Sequence, residues 1–317
     1  MRGSNKIKSK VGKFSKAILC VLVAAVSIVP SFANCAAVEE IQAGMRLTDL
    51  FPSRAFAKYV YEDVLDNIGN DRAYIDYHLT EDDVHAINSR EVIEVRGIGC
   101  ESIDGIEHFT HLKYLDCSNN AIERVDVSNC RELGALICNR NKIDFLNVTD
   151  CSSLTTLKCS SNPIRELDLR SCTELKELDC SATQINALDL SNCEDIGSVN
   201  ASNCDNLAGL NIAKRQYVKH VDVSNCDNLT ELNLAGCPNV EDVDAHNCGH
   251  LEDINVSDAA RINYINASNC EELKWIHFSP EVQVLLGFNI DNSPLVRRNV
   301  PAQLLGDDDL GDSDVEN

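Results

Sequence analysis

Cysteine recurs at fixed intervals in the middle of this 317-residue sequence, which contains 16 cysteines. Thiols could form disulfides, hold a metal ion as thiolates, or pack as small apolar groups. Two columns have a spacing of 21 residues and a third has a spacing of 22 residues. The members are Cys117, Cys138, Cys159 and Cys180; Cys130, Cys151, Cys172 and Cys193, continued by Cys237; and Cys204, Cys226, Cys248 and Cys270.

The regular spacing favours packing over the other two chemistries. Residues in one column of a strand stack lie about 4.8 Å apart. Their side chains point the same way, so the Cβ vectors do not converge as a disulfide requires. No Cys-x-x-Cys or Cys/His cluster occurs at zinc-ligand spacing. We therefore expect buried, reduced thiols and no metal site.

Carboxylates and amides occupy a second set of equally spaced positions. In one such row, Asp126, Asp168 and Asp189 alternate with asparagines. One hypothesis is that these three carboxylates bind Ca²⁺, which takes about six to eight oxygen ligands. The alternative is a solvated Asp/Asn ladder that bonds neighbouring turns. We favour the ladder, because no loop supplies ligands that converge from several directions.

The sequence offers little for catalysis. None of its eight histidines lies at a recognisable spacing from a nucleophile. Gly-x-Ser-x-Gly, His-Glu-x-x-His and phosphate-cradling glycine-rich motifs are absent. We expect a non-enzymatic protein without a cofactor.

Aromatic side chains at outward positions could instead bind a partner. Aromatic residues with a polar rim are typical of binding hot spots. Tyr264 and Trp275 could also pack partly against a C-terminal cap. The candidate binding residues are Tyr114, Phe145, Tyr264, Trp275 and His277.

These residues belong to a sequence motif that repeats from Leu112 to about Phe278. Each repeat consists of two similar halves, which we call half-units. The early repeats have a period of 21 residues, and after Ile196 successive half-units begin a uniform 11 residues apart. The sixteen half-units predict eight turns of a solenoid. Within each half-unit, positions 1, 4 and 6 are apolar and point inward, for example Leu154, Leu157 and Cys159. Asparagine at position 9 of the early turns can bond the backbone of each bend, and cysteine fills that place later.

The N-terminus has the layout of a secretory signal peptide. Six basic residues precede the apolar run Ala17 to Val29, and small residues follow Pro30. The 13-residue run is short for a membrane span, which needs roughly 20 residues. An uncleaved anchor remains an alternative, as does a lipoprotein modified at Cys20 or Cys35. However, the residue before each of these cysteines is not small. Secretion, outside the cell or to its surface, is the favoured prediction, without stable membrane insertion afterwards.

The formal net charge is −22, and loss of the six basic leader residues would leave about −28. Binding to a phosphate backbone depends on clustered Lys and Arg, and no basic stripe occurs. We therefore exclude nucleic acid as a partner.

The chain resembles the internalin-type bacterial leucine-rich repeat proteins, which have an N-terminal cap and short repeats. The repeats resemble the family line L-x-x-L-x-L-x-x-N-x-I/L. The cap resemblance follows Leu50-Phe51-Pro52, Phe56-Ala57, Tyr59-Val60, Leu79-Thr80, Ser102-Ile103-Asp104-Gly105-Ile106-Glu107 and Phe109-Thr110-His111-Leu112. Before the repeats we expect a helix from Ala43 to Ile68, a second helix capped by Thr80, and a strand at Val92.

The second half of each repeat departs from the internalin pattern, because it is almost a copy of the first half. We therefore predict an α/β leucine-rich-repeat solenoid of about eight turns, with parallel strands in two sheets and a small helical cap. The predicted regions are a signal peptide (1–37), an N-terminal cap (38–106), the repeats with a C-terminal covering strand (107–290) and an acidic disordered tail (291–317).

Two functions remain open. By analogy with internalin-type proteins, the solenoid would bind a protein ligand in adhesion or host interaction; that step rests on resemblance of fold. Alternatively, it is a structural component of the cell envelope or matrix without a defined partner. Bound calcium could stabilise such a component.

Overall fold

The computed structural model describes residues 40–67, 72–282 and 285–294. The predicted signal peptide and most of the predicted acidic tail lie outside these residues, as do Cys20 and Cys35. None of the helices in the described part of the chain has the length and apolar character needed to span a bilayer.

The repeats wind into a solenoid of about nine turns. Its continuous sheet has ten parallel strands, with neighbours in register. One further strand extends the strands of the repeats at each end of this sheet. The strands are β1 Val92–Glu94, β2 Tyr114–Asp116, β4 Ala135–Ile137, β6 Thr156–Lys158, β7 Glu177–Asp179, β9 Ser198–Asn200, β11 His220–Asp222, β13 Asp242–Asp244, β15 Tyr264–Asn266 and β17 Gly287–Asn289.

The second halves of the repeats also form strands, and these confirm that both halves carry a strand line. Their sheet is interrupted into three parts: β3 with β5, β8 with β10, and β12 with β14 and β16. Their bounds are β3 Arg124–Asp126, β5 Phe145–Asn147, β8 Ala187–Asp189, β10 Gly209–Asn211, β12 Glu231–Asn233, β14 Asp253–Val256 and β16 Trp275–Phe278.

Proline accounts for the first interruption. Lys142 donates its backbone N–H to the Ile122 carbonyl at 2.9 Å, and Gln184 donates to the Ile164 carbonyl at 2.8 Å. The equivalent residue of the turn between them is Pro163, which has no N–H to donate. The chain from 166 to 168 accordingly forms no strand. The second interruption separates β10 from β12, where Arg215 stands in the cysteine column.

The core follows the predicted columns. Leucine, isoleucine, valine and cysteine of every turn are buried, and most are fully inaccessible. All fourteen cysteines of the described residues are buried with free thiols. Burial raises the pKa of Cys151 to about 12 and that of Cys193 to about 11. The Cys151 and Cys193 thiols therefore stay protonated at neutral pH and pack as apolar groups.

Asparagine and cysteine at position 9 perform the same bonding, as predicted. Asn141 Nδ2 donates to the carbonyl oxygens of Cys138 in its own turn and Cys117 in the preceding turn, both at 3.0 Å. In a later turn, the Cys226 thiol donates to the Ala201 carbonyl at 3.1 Å. Both side chains satisfy backbone acceptors that the bend leaves inside the core.

The N-terminal cap contains α1 Leu47–Leu50, α2 Arg54–Tyr59 with a π-helical turn Val60–Val64, a 3₁₀ turn Ala73–Asp76, α3 Glu81–Ser89 and a 3₁₀ turn Ile106–His108. The capping box at α3 confirms the role of Thr80: its Oγ1 accepts from Asp83 N at 3.2 Å, and Asp83 Oδ2 accepts from Thr80 N at 2.8 Å.

The prediction of one helix from Ala43 to Ile68 was wrong. Two short helices are separated at Pro52, because proline disfavours helical backbone at the residue before it and lacks an N–H. Phe51 accordingly leaves the helical region at φ −122°. Ile68, the predicted end of this helix, lies outside the described residues.

The cap covers the first turn with an aromatic cluster. The ring centroids of Phe51 lie 5.5 Å from Phe56 and 5.8 Å from Phe109. Gly105 approaches this cluster with φ +99°, and a Cβ there would lie 2.4 Å from the Leu50 carbonyl oxygen. The apolar end of the first repeat is thus buried, as a solenoid requires.

Candidate functional site

The solenoid presents two outward faces. We call the outward side chains of the ten-stranded sheet the ten-strand face. We call those of the broken sheet the interrupted face. Because side chains alternate along a strand, the outward residues of each turn are positions 3 and 5, and these line up in rows across neighbouring strands.

The Asp/Asn row of the ten-strand face serves the bends of the chain. Asp179 Oδ1, at the end of β7, accepts hydrogen bonds from both Ser181 N at 3.1 Å and Ser181 Oγ at 2.6 Å. Asp222 and Ser224 repeat this pattern, at 2.9 Å from the backbone N–H and 2.6 Å from the hydroxyl. The regular spacing of these carboxylates therefore reflects turn formation.

Cross-strand ion pairs engage other charges of the ten-strand face. Lys158 Nζ lies 2.8 Å from Glu177 Oε1, and Lys219 Nζ lies 3.2 Å from Glu241 Oε1. His220 Nδ1 lies 2.8 Å from Asp242 Oδ2. Much of this face is thus internally paired.

The interrupted face contains the three aspartates considered for calcium. Asp126 accepts from Asn147 Nδ2 at 3.1 Å, and Asp189 accepts from Asn211 Nδ2 at 2.8 Å. Asp168 is bonded by the Arg170 guanidinium, which lowers the pKa of that carboxyl. The contacts of Asp126 and Asp189 form the Asp/Asn ladder that the sequence favoured, whereas Asp168 is bonded by an arginine. Across residues 40–67, 72–282 and 285–294, no three His, Cys, Asp or Glu side chains converge as metal ligands would.

The five candidate binding residues are not brought together as one group. Tyr114 is half-buried on β2, and Tyr264 lies seven strands away on β15. Phe145 on β5 is half-buried beneath Arg124, whose guanidinium carbon lies 4.0 Å from the ring centroid. Trp275 and His277 are neighbours on β16.

Tyr264 is 38% exposed, and the rest of its side chain packs within the protein. Its ring lies over Gly287 of β17, where a Cβ would approach the ring carbons to 2.5 Å. This contact agrees with the expectation that Tyr264 packs against the C-terminal strand. Gly287–Asn289 pairs in parallel with β15 at the C-terminal end of the sheet.

Trp275 has the exposure expected of a contact residue. Its side chain is 48% exposed, and its ring stacks on His277 with centroids 6.3 Å apart and planes at 13°. His277 Nε2 lies 2.9 Å from Asp253 Oδ2 on the neighbouring strand. The indole is therefore held from one side while much of its surface stays open.

Carboxylate side chains occupy the same row as this indole on the neighbouring strands. Glu231, Asp253 and Trp275 are register partners on β12, β14 and β16. Partial burial, and then the charges of Asp253 and Glu252, raise the pKa of Glu231. Glu252 also contacts Lys274, at 2.8 Å. We call this group the Trp275 corner; it comprises Glu231, Glu252, Asp253, Lys274, Trp275 and His277.

Sequence reasoning identified Trp275 and His277 but missed the carboxylates beside them. The sequence did contain this information, because the residues at position 3 in the second half of successive repeats lie in one row across neighbouring strands. Tyr217, 60% exposed in a bend, was also missed, since it lies outside the strand positions.

The cap contains a separate cleft of about 1010 Å³ between α2 and residues 98–102. Its two cationic side chains already have partners. Arg54 Nε donates to Tyr74 Oη at 2.8 Å, and Lys58 lies 3.6 Å from Glu62. Both cations are therefore already engaged within the cap.

Solved structures share this fold. The leucine-rich repeat domain of the type III effector XopL matches with a TM-score of 0.50 and 13% identity, over 74% of this chain and 88% of that one. The functional domain of InlJ from Listeria monocytogenes, which includes a cysteine ladder, matches with a TM-score of 0.45 and 17% identity, over 80% of this chain and 73% of that one.

Internalin C2 from Listeria monocytogenes matches with a TM-score of 0.39 and 17% identity, over 76% of this chain and 100% of that one. No protein-family model matches the sequence, and no curated protein matches it. The likeness at these identities is one of fold. The predicted leucine-rich-repeat solenoid is confirmed.

Proposed function

We propose that this chain is a non-enzymatic protein-binding module whose Trp275 corner contacts the partner. The observation that carries the proposal is the 48% exposure of Trp275 beside His277 and a rim of carboxylates. Exposed aromatic residues with a polar rim are the usual anchors of protein interfaces. A repeat surface also offers a long face, which suits a macromolecule better than a small substrate.

The other predicted contact residues have smaller parts in this proposal. Arg124 covers the ring of Phe145, and Tyr264 lies over Gly287. Tyr114 is half-buried among the paired charges of the ten-strand face. Binding would therefore centre on the interrupted face, at its C-terminal end.

We also propose that the protein is exported and acts outside the cell or at its surface. The support is the basic segment, apolar run and small residues of the first 37 positions. N-terminal sequencing of the protein recovered from the culture medium tests this point. An intact N-terminus retained inside the cell would contradict it.

Immobilised full-length protein tests the binding function. We expect saturable capture of a protein partner, lost in Trp275→Ala and retained in Tyr264→Ala, with both variants melting cooperatively. The absence of any saturable partner would contradict the proposal and favour a structural envelope or matrix role. Equal capture by Trp275→Ala would place the interface elsewhere.

A further inference from the structure

We propose that the Trp275 corner binds an arginine side chain presented by an extended segment of the partner protein. This inference rests on the proposed function and names the chemistry of its site. It is carried by three features: an open indole, a row of crowded carboxylates beside it, and an arginine–aromatic pair elsewhere on the same face.

The indole can accept a cation. Trp275 is stacked on His277, and 48% of its side chain remains exposed. A guanidinium placed over an indole is attracted by the negative face of the ring, and tryptophan is the strongest such acceptor among the side chains.

The carboxylates supply the complementary charge. Asp253 is the register partner of Trp275, and Glu231 is the register partner of Asp253. Neighbouring strands lie about 4.8 Å apart, so both carboxylates are within reach of a long side chain that crosses the indole. Partial burial is the main cause of the raised pKa of Glu231, and the negative charges of Asp253 and Glu252 add to it. A bound cation relieves this repulsion.

The same face already forms a pair of this type. Arg124 and Phe145 occupy register positions on β3 and β5, and the Arg124 guanidinium carbon lies 4.0 Å from the Phe145 centroid. Row neighbours on adjacent strands are thus at a suitable distance for arginine to stack on an aromatic ring. At Trp275 the row neighbour on β14 is Asp253, which leaves the indole for a cation supplied from outside.

The geometry favours arginine over lysine. A guanidinium is planar, so it can stack on the indole and donate hydrogen bonds to a neighbouring carboxylate at the same time. Asp253 Oδ2 also lies 2.9 Å from His277 Nε2, so the guanidinium shares this carboxylate with the imidazole. A lysine ammonium is a compact, strongly hydrated charge and cannot do both. Lysine should therefore bind more weakly, and an uncharged isostere should not bind.

Trp275 is the sole tryptophan in the sequence, so its fluorescence reports this corner directly. The probe is a short neutral peptide with one central arginine, compared with its lysine and citrulline analogues, titrated into the full-length protein. We expect a saturable change for the arginine peptide, a weaker response for lysine and none for citrulline. Equal responses to arginine and lysine, or to arginine and citrulline, would overturn the inference.

A matched pair of variants separates this site from general attraction to an acidic protein. Asp253→Asn should weaken arginine-peptide binding about tenfold, as expected for the loss of a charge-assisted hydrogen-bonded pair. Asp242→Asn removes the carboxylate of the comparable His220 pair on the ten-strand face and should leave binding unchanged. Equal effects of the two variants would also overturn the inference.

The two proposals fail separately. If a captured protein depends on Trp275 while the arginine peptide gives no response, the binding function stands and the arginine inference is wrong. If the peptide binds but no protein partner is captured, the binding function is wrong.

Discussion

The Cys204 thiol lies 3.3 Å from the carbonyl oxygen of Cys180, in the preceding turn. Two turns earlier, Asn162 Nδ2 lies 3.1 Å from the carbonyl oxygen of Cys138. A thiol thus takes over a backbone contact that an amide makes elsewhere in the same column. The cysteines are part of the hydrogen bonding of the core as well as its packing.

Serine substitution distinguishes the thiols that donate a hydrogen bond from the thiols that only pack in the core. Cys226 donates to the Ala201 carbonyl at 3.1 Å, so a hydroxyl in Cys226→Ser has an acceptor and should change the free energy of unfolding by less than about 1 kcal/mol. Among the described residues, no hydrogen bond involves the Cys138 thiol. Cys138→Ser should cost about 1–3 kcal/mol, because its hydroxyl is buried without an acceptor. Urea unfolding measures both, and equal losses would contradict this distinction.

Ala182 adopts a conformation that suits asparagine. Its φ is +53°, while Asn203 and Asn225 occupy the equivalent bends at +58°. Left-handed backbone costs most residues about 1–2 kcal/mol, and asparagine tolerates it better than alanine. Ala182→Asn should therefore raise the free energy of unfolding by roughly 0.5–1 kcal/mol. The reverse change, Asn225→Ala, should lower it; the same sign for both in urea unfolding would refute this explanation.

Stability should fall in acid because of His108. Burial lowers the pKa of this imidazole in the folded cap, although Glu107 opposes the shift. The folded state then binds fewer protons than the unfolded state, so stability is full above about pH 6.5 and declines as the pH falls towards the folded-state pKa. Thermal melting of wild type and His108→Leu across this range measures the contribution.

His250 provides a control of opposite sign. Its contacts with the backbone and charge of Asp227 raise its pKa, so its contribution is present in acid and lost as the pH rises. His250→Gln should therefore increase the acid sensitivity, whereas His108→Leu should reduce it. Equal pH dependence in wild type and His108→Leu would show that this histidine is not responsible.

Calcium should leave the melting midpoint unchanged. Asp126 and Asp189 are bonded by asparagines, and Asp168 is paired with Arg170. Ca²⁺ requires about six to eight converging oxygens, which a flat row does not supply. Melting with Ca²⁺ and with a chelator makes the comparison. A rise in the midpoint that saturates with Ca²⁺ and is lost in Asp168→Asn would restore the calcium hypothesis.

The periodic sequence was sufficient to predict the stacked strands and the inward columns. These features follow from local spacing, since each turn contacts its neighbours in the same way. The capping role of Thr80 was also readable, because a capping box is local. The thiol-to-carbonyl contacts followed from the equivalence of Cys204 and Asn162 in one column.

Features that depend on a single exception were harder to predict. Pro163 breaks the second sheet through one missing N–H, and Pro52 divides the expected first helix. Packing of Tyr264 at the C-terminal end was expected, but its contact with Gly287 depends on the course of the chain after the last repeat. The carboxylates beside Trp275 become a group only when the register of three strands is known.

Hydrogen–deuterium exchange on the complex with a captured partner tests the proposed interface most directly. We expect added protection in β12, β14 and β16, centred on β14 Asp253–Val256 and β16 Trp275–Phe278. The ten-strand face should exchange as in the free protein. Protection confined to the ten-strand face, with β14 and β16 unchanged, would contradict an interface at the Trp275 corner.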